Sequence, residues 1–225
     1  MELCAMVPPA GTVAATTNPC KTAMTIAPLI HCLPMTPEQV NTYLAACPVT
    51  GECVVIDPGN ETGRIIALIR ERGLTARFIL NSHGHYDHVA GNAALKQALG
   101  VPVGRHPDSA AAGPIDVPLT DGAQLPLGRL AIRVLHTPGH TPEAVCLYLA
   151  GHLFTGDTLF VGDVGRSDLP DGDFNRLIAS LARLVSDIPD DTIIHPGHDY
   201  GDTPTSTMGR EKRENPYITD FITEP

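Results

Sequence analysis

The segment Ser82-His83-Gly84-His85-Tyr86-Asp87-His88 gathers four potential metal ligands into six residues. Imidazole nitrogens suit zinc, iron and other first-row metals, and a carboxylate can bind one ion or bridge two. His83 and His85, two positions apart, can reach one ion, while Asp87 and His88 can turn toward a second. Gly84 removes a side chain where the backbone must fold tightly. Three later segments each place a further candidate directly after a glycine. His140 sits in Thr137-Pro138-Gly139-His140-Thr141, Asp157 in Phe154-Thr155-Gly156-Asp157-Thr158-Leu159-Phe160, and His198 in His195-Pro196-Gly197-His198-Asp199-Tyr200. Each would be a weak signal alone, since a polar loop can be histidine-rich by chance. Together they describe a strong candidate for a metal centre, of the kind that can activate water. Two ions about 3.5–4 Å apart would activate the nucleophile and polarise the substrate.

Such ligands are useful only when rigid elements aim them. Each candidate follows a strand-like segment, so several strand ends would converge at one rim of a sheet. Residues 26–33 read as a strand, and 40–46 with 53–56 as a hairpin closed around Thr50-Gly51. Asp57-Pro58-Gly59 then ends the strand as a turn. Ile65, Ile66, Leu68 and Ile69 sit on a helical period stopped by Gly73. Ala76 to Leu80 is a short buried strand. Asn81 to His88 is expected as a loop, with a helix from about Val89 to Leu99 stopped by Gly100. Strands are expected at 130–135, 144–149, 152–155 and 192–195. An amphipathic helix is expected from Asp173 to Val185, with Leu177, Ile178, Leu181 and Leu184 on its apolar face. A last helix is expected to begin near Pro204, capped by Thr203, and to end near Asn215-Pro216. Hairpins mixed with crossover helices imply layered α/β packing rather than an all-parallel sheet.

Composition bounds the function. A net charge of −10 disfavours nucleic acid and anionic membranes as partners. It leaves room for an anionic substrate, because a bound metal can reverse the local sign. The six cysteines form no CxxC pair, which removes a thiolate zinc knuckle. Cys47 and Cys53 flank the hairpin turn and could face each other as a disulfide. The plainer reading is six reduced thiols in a cytoplasmic protein. No run approaches the roughly 18–20 apolar residues of a membrane span. Residues 1–25 are rich in Ala, Thr and Pro, lack an apolar run typical of a signal peptide, and read as a disordered tail. Met24 opens the better-patterned stretch and is a candidate translation start. Residues 26–225 then read as a single catalytic domain. His31, His106, His136, His152 and His195 lie outside the motifs and are expected to be structural or solvated. The oligomeric state is left open.

The motif set carries a family resemblance. Over residues 26–218 the chain resembles metallo-β-lactamase-fold hydrolases, and within them the glyoxalase II-like branch, on its HxHxDH, PGHT, FTGDTLF and PGHDY segments. The resemblance implies a four-layer αβ/βα sandwich with metals at one edge. It implies that His83, His85 and His140 hold one ion, that Asp87, His88 and His198 hold the other, and that Asp157 bridges them. It implies two divalent ions, zinc first and iron as the alternative, and catalytic roles for Asp87 and Asp157. The implied substrate is a small thioester such as S-lactoylglutathione, or a related ester. Tyr200 matches a glutathione-contacting tyrosine, Arg166 takes the place of a contacting lysine, and Asp168 replaces a second tyrosine. The chain ends 27 residues after His198, where longer family members continue into a helical region.

The same superfamily supplies the nearest rival, an iron-dependent persulfide dioxygenase. Its single iron would be held by His83, His140 and Asp157, leaving open positions for oxygen and a sulfur substrate. A lactonase, a β-lactamase and a silent binding protein on the same fold rank below it. The complete ligand set argues against the last.

Overall fold

The structure is a computed structural model that describes Met1, residues 26–36 and residues 39–223. The expected tail and the candidate start Met24 lie outside the described residues. Chain order is β1 (Leu29–Pro34), β2 (Asn41–Ala46), β3 (Glu52–Ile56), α1 (Thr62–Glu71), β4 (Thr75–Leu80), α2 (Tyr86–Val89), α3 (Asn92–Leu99), β5 (Val103–Arg105), β6 (Val117–Pro118) and β7 (Gln124–Leu127). It continues with β8 (Leu130–His136), β9 (Val145–Leu149), β10 (His152–Gly156), α4 (Phe174–Asp187), β11 (Ile193–Pro196), β12 (Ser206–Thr207), α5 (Met208–Glu214) and α6 (Pro216–Ile218), followed by a π-helical turn at Thr219–Thr223.

The strands form two six-stranded sheets, ordered β1-β2-β3-β4-β5-β6 and β12-β11-β10-β9-β8-β7. Both are mixed. In the first sheet β1, β2 and β3 pair antiparallel, while β3, β4, β5 and β6 pair parallel. In the second only β10 and β11 run parallel. Parallel neighbours need crossovers, which α1, α2–α3 and α4 provide for three of the four parallel pairs, while residues 106–116 join β5 to β6 without a helix.

Side-chain alternation explains the layers. On β2 and β3, Tyr43, Ala45, Val54 and Ile56 face the second sheet, where they meet Val145, Leu147, Leu149 and Phe154. The other faces of the same strands present Leu44, Ala46, Cys53 and Val55 to Ile65 and Ile69 of α1 and Leu95 of α3. The outer face of the second sheet, including Cys146 and Leu153, packs on Leu177, Leu181 and Leu184 of α4. Helix–sheet–sheet–helix is therefore the layer order, as the resemblance implied. Asp173 caps α4 by accepting from the Arg176 N–H at 3.0 Å. Cys47 and Cys53 are free thiols, so the disulfide does not form. Among the described residues no helix is long and apolar enough to cross a membrane.

Three local expectations are corrected. The segment after β4 is not a loop up to His88, because α2 already begins at Tyr86, and the expected long helix breaks at Ala90-Gly91. Gly91 lies against the Pro58-Gly59 backbone, to which it donates at Pro58 O, 2.9 Å away. The last long helix begins at Met208, capped by Thr207, and not near Pro204, because Ser206 and Thr207 pair with β11. Strands β5, β6 and β7 were not expected, being short and interrupted by Gly104, Pro118 and Pro126.

Candidate metal centre

The ends of β4, β8, β10 and β11 open onto one rim. The β4 end leads into His83, His85, Asp87 and His88, and the others into His140, Asp157 and His198. Cross-sheet bonds hold the rim closed. Ser82 O accepts from Val145 N–H at 2.8 Å, Gly197 O accepts from Asn41 N–H at 2.7 Å, and Pro196 O accepts from the Tyr43 hydroxyl at 2.7 Å.

All seven predicted ligands come together there. Three groups have donor atoms mutually within 4.8 Å: His83, His85 and His140; His83, His88 and Asp157; and Asp87, His88 and His198. His85 Nδ1 lies 2.9 Å from His83 Nε2 and 3.0 Å from His140 Nε2. His198 Nε2 lies 3.3 Å from Asp87 Oδ2 and 3.4 Å from His88 Nε2. Asp157 stands between the groups, with Oδ1 at 3.4 Å from His88 Nε2 and Oδ2 at 3.6 Å from both His140 Nε2 and His198 Nε2.

A supporting layer missed in the sequence fixes the rings. The buried Asp57 accepts from Ser82 N–H at 2.7 Å and from the Ser82 hydroxyl at 2.6 Å, and its Oδ2 lies 3.0 Å from His88 Nδ1. Because the Ser82 proton is committed to Asp57, His83 Nδ1, 3.0 Å from Ser82 Oγ, is the donor in that contact. His140 Nδ1 likewise donates to Arg166 O at 2.7 Å. In all three rings Nδ1 carries a proton, which turns Nε2 toward the centre. Asp57 carried one faint signal, a charged residue ending an apolar strand, which its Pro-Gly neighbours disguised as a turn.

Glycines set the close approaches. Gly156 has φ +47°, and a Cβ there would overlap Ser82 Oγ; at Gly197 a Cβ would overlap Asp157 Oδ1.

The electrostatics favour a cation. Burial and the surrounding imidazoles hold His83 well below the usual histidine range. Burial also opposes charge on His88, yet Asp157, Asp57 and Asp87 outweigh it and raise His88 to about 9. Burial works against the ionised form of Asp87, but His198 and His88 bring it down to about 2. Asp157 Oδ1 is buried with no hydrogen-bond partner. Imidazole nitrogens facing one another around a carboxylate oxygen without a hydrogen-bond partner fit a divalent cation, which would take the place of the proton on His88 Nε2.

The two predicted substrate residues adjoin the centre. Tyr200 is exposed, its ring stacked on His198 at 5.0 Å between centroids. Arg166 borders a cavity of about 320 Å³ with Phe174 and Tyr217, and its guanidinium forms a two-pronged pair with Asp168 at 2.9 and 3.0 Å. Of the histidines outside the motifs, His152 and His195 stack as a pair, and so do His106 and His136.

Residues 35–198, which span this whole centre, match the metallo-β-lactamase superfamily. The chain belongs to that superfamily. Among relatives in it, a hydroxyacylglutathione hydrolase of Anaeromyxobacter dehalogenans is 42% identical over 71% of this chain, which spans 61% of that protein's length. The hydroxyacylglutathione hydrolase GloC of Haemophilus influenzae is 35% identical, covering 84% of this chain and 97% of its own. The human mitochondrial persulfide dioxygenase ETHE1 is 36% identical over 79% of this chain and 71% of its own. Among solved structures, ETHE1 from Myxococcus xanthus superposes with a TM-score of 0.80 at 32% identity, covering 85% of each chain. The superfamily is one of metal-dependent enzymes, and this member has histidine and aspartate groups placed to bind metal.

Proposed function

We propose that this chain is a metal-dependent thioesterase acting on S-acylglutathione-type substrates, of which S-lactoylglutathione is the first choice. The observation that carries the reading is the pair of donor groups at one rim with Asp157 between them. Likeness to two hydroxyacylglutathione hydrolases supports it, including GloC, whose length this chain nearly spans. His83, His85 and His140 would hold one divalent ion, Asp87, His88 and His198 a second, and Asp157 would be shared. Zinc is the favoured metal, with iron as the alternative. Bound there, such ions supply Lewis acidity and lower the pKa of water toward neutrality.

The chain's own groups do the rest. Asp57, Ser82 and the Arg166 carbonyl hold three imidazoles in one tautomer and orientation. Asp87, ionised at neutral pH, can accept a proton's hydrogen bond at the mouth of the centre and orient a nucleophile. A thiolate leaves with little acid assistance, so the absence of a dedicated general acid among the ligands suits a thioester. Arg166, once released from Asp168, and Tyr200 would flank the carrier portion of the substrate.

The test is hydrolysis of S-lactoylglutathione by zinc-loaded protein, with Asp157→Ala as the comparison. Turnover that falls by about a hundredfold or more in the variant is expected. Full activity in Asp157→Ala would remove the shared-ligand role. The likeness to persulfide dioxygenases gives the second reading. Oxygen consumption with glutathione persulfide by the iron-loaded protein, without thioester hydrolysis by the zinc form, would establish it instead.

A further inference from the structure

Next to His85, on the wall formed by the segment around residue 110 and the one after His140, lies a cavity of about 350 Å³. Thr141, Glu143, Asp108 and Asp171 border it, and its described lining contains no Lys or Arg. Glu143 is only 7% exposed, and no Lys or Arg pairs with it among the described residues. Its Oε1 accepts from Gly84 N–H at 3.1 Å, which ties the carboxylate to the loop between His83 and His85. Thr141 is 3% exposed, and its Oγ1 has no hydrogen-bond partner. A buried carboxylate and a buried orphan hydroxyl both carry a desolvation cost that a donor would relieve.

The pattern specifies the ligand's chemistry. An ammonium brings a positive charge and three N–H donors but no acceptor, matching a carboxylate and a hydroxyl oxygen. A carboxylate or phosphate would meet three like charges. We propose that this cavity is a cation-binding subsite that receives an ammonium group of the substrate, held by Glu143 and Thr141 with Asp108 and Asp171 along its border. The inference rests on the thioesterase reading for what the substrate is. The ammonium can come from the acyl chain or from the thiol carrier, since the cavity borders the centre where the two halves part.

Non-hydrolysable thioethers separate these sources and need no turnover. Zinc-loaded protein would be titrated calorimetrically with S-(3-aminopropyl)glutathione against S-butylglutathione, which differ by one ammonium in place of a methyl group. A second pair compares S-butylglutathione with its N-acetyl derivative, which lacks the carrier's ammonium. An acyl-side ammonium predicts a Kd about tenfold lower for the aminopropyl compound. A carrier-side ammonium predicts a similar loss on N-acetylation. Whichever gap appears should shrink to within about twofold in Glu143→Gln, which keeps an acceptor for Gly84 N–H, and shrink partly in the exposed Asp171→Asn. Equal affinities within both pairs, no binding by any compound, or a gap that Glu143→Gln leaves intact would overturn the subsite. The β-alanyl and butanoyl thioesters of glutathione test the underlying reading separately. If the thioethers bind with the expected gap and neither thioester is hydrolysed, the subsite stands and the thioesterase reading falls.

Discussion

Asp57 is not a member of any ligand group, yet it decides how His88 and, through Ser82, His83 present their nitrogens. Removing an outer carboxylate of this kind typically lowers metal affinity about 10–100-fold. Asp57→Ala should therefore weaken zinc binding by that factor, measured by competition with a chromogenic chelator, while far-UV circular dichroism stays near that of the parent. Unchanged affinity would mean that the rings are held by packing alone. Gly197→Ala tests the opposite fault, an added atom. Its methyl would push on Asp157 Oδ1 and His88 Cε1. If two ions are held as proposed, the expected result is loss of one before the other, read by metal analysis after dialysis, because His88 belongs to the Asp87–His88–His198 group and Asp157 Oδ1 is the carboxylate oxygen facing it at 3.4 Å. At this scale the candidate ligands were legible because metal chemistry calls for histidine and aspartate and because four of them fall within six residues. Asp57 was not, since 31 positions separate it from His88 and only the pairing of β3 with β4 brings the two together. Glu143 was hidden for the same reason, being 59 positions from the glycine it holds.

Elements show how local preference yields to packing. The stretch from Val89 to Leu99 reads as one helix, but Gly91 interrupts it where the chain passes over the Pro58-Gly59 turn. A Cβ at Gly91 would stand 2.5 Å from Gly59 O and 2.9 Å from Thr62 Cγ2. In an isolated helix Gly→Ala would add roughly 1 kcal/mol of stability. Here overpacking should reverse the sign, so Gly91→Ala is expected to destabilise by about 1–3 kcal/mol, visible as a lower Tm in thermal unfolding. A raised Tm would show that the turn can yield and that the break has another cause. The element types on either side of the centre were readable because β2, β3 and β9 alternate apolar residues on both faces. The short strands β5, β6 and β7, at or next to a sheet edge, were not readable. Their two to four residues carry too little period, and their proline and glycine content argues for loop. Thr203-Pro204 imitates a helix start, but pairing of Ser206 and Thr207 with β11 delays the helix to Met208.

Across the whole molecule, the two sheets are joined under the centre by Tyr43, Phe154 and His195. The Tyr43 ring meets Phe154 at 5.2 Å and His195 at 5.3 Å, and His195 stacks on Phe154 at 4.9 Å. His195 lies outside the motifs in the sense that mattered for ligation, and its structural role fits the plainer reading of that residue. Its ring is buried, and its Nε2 is 2.9 Å from His152 Nδ1. Burial first, and then the neighbouring His152, depress its pKa from the ordinary 6.5 to about 3. The unfolded chain therefore takes up a proton below pH 6.5 that the folded chain refuses, so the native state binds fewer protons and loses stability as pH falls from about 6.5 toward 3. Above that window both forms are neutral and the group makes no pH-dependent contribution. The slope inside the window is about 1.4 kcal/mol per pH unit. Urea unfolding of the parent and of His195→Gln at pH 7.5 and 5.0 isolates this share, because every other titrating group is common to both. The variant should start less stable, having lost the stacking, yet the parent should lose about 2 kcal/mol more than the variant between the two pH values. Equal losses would show that His195 takes its proton at an ordinary pH, and that the joint between the sheets admits water or a compensating charge.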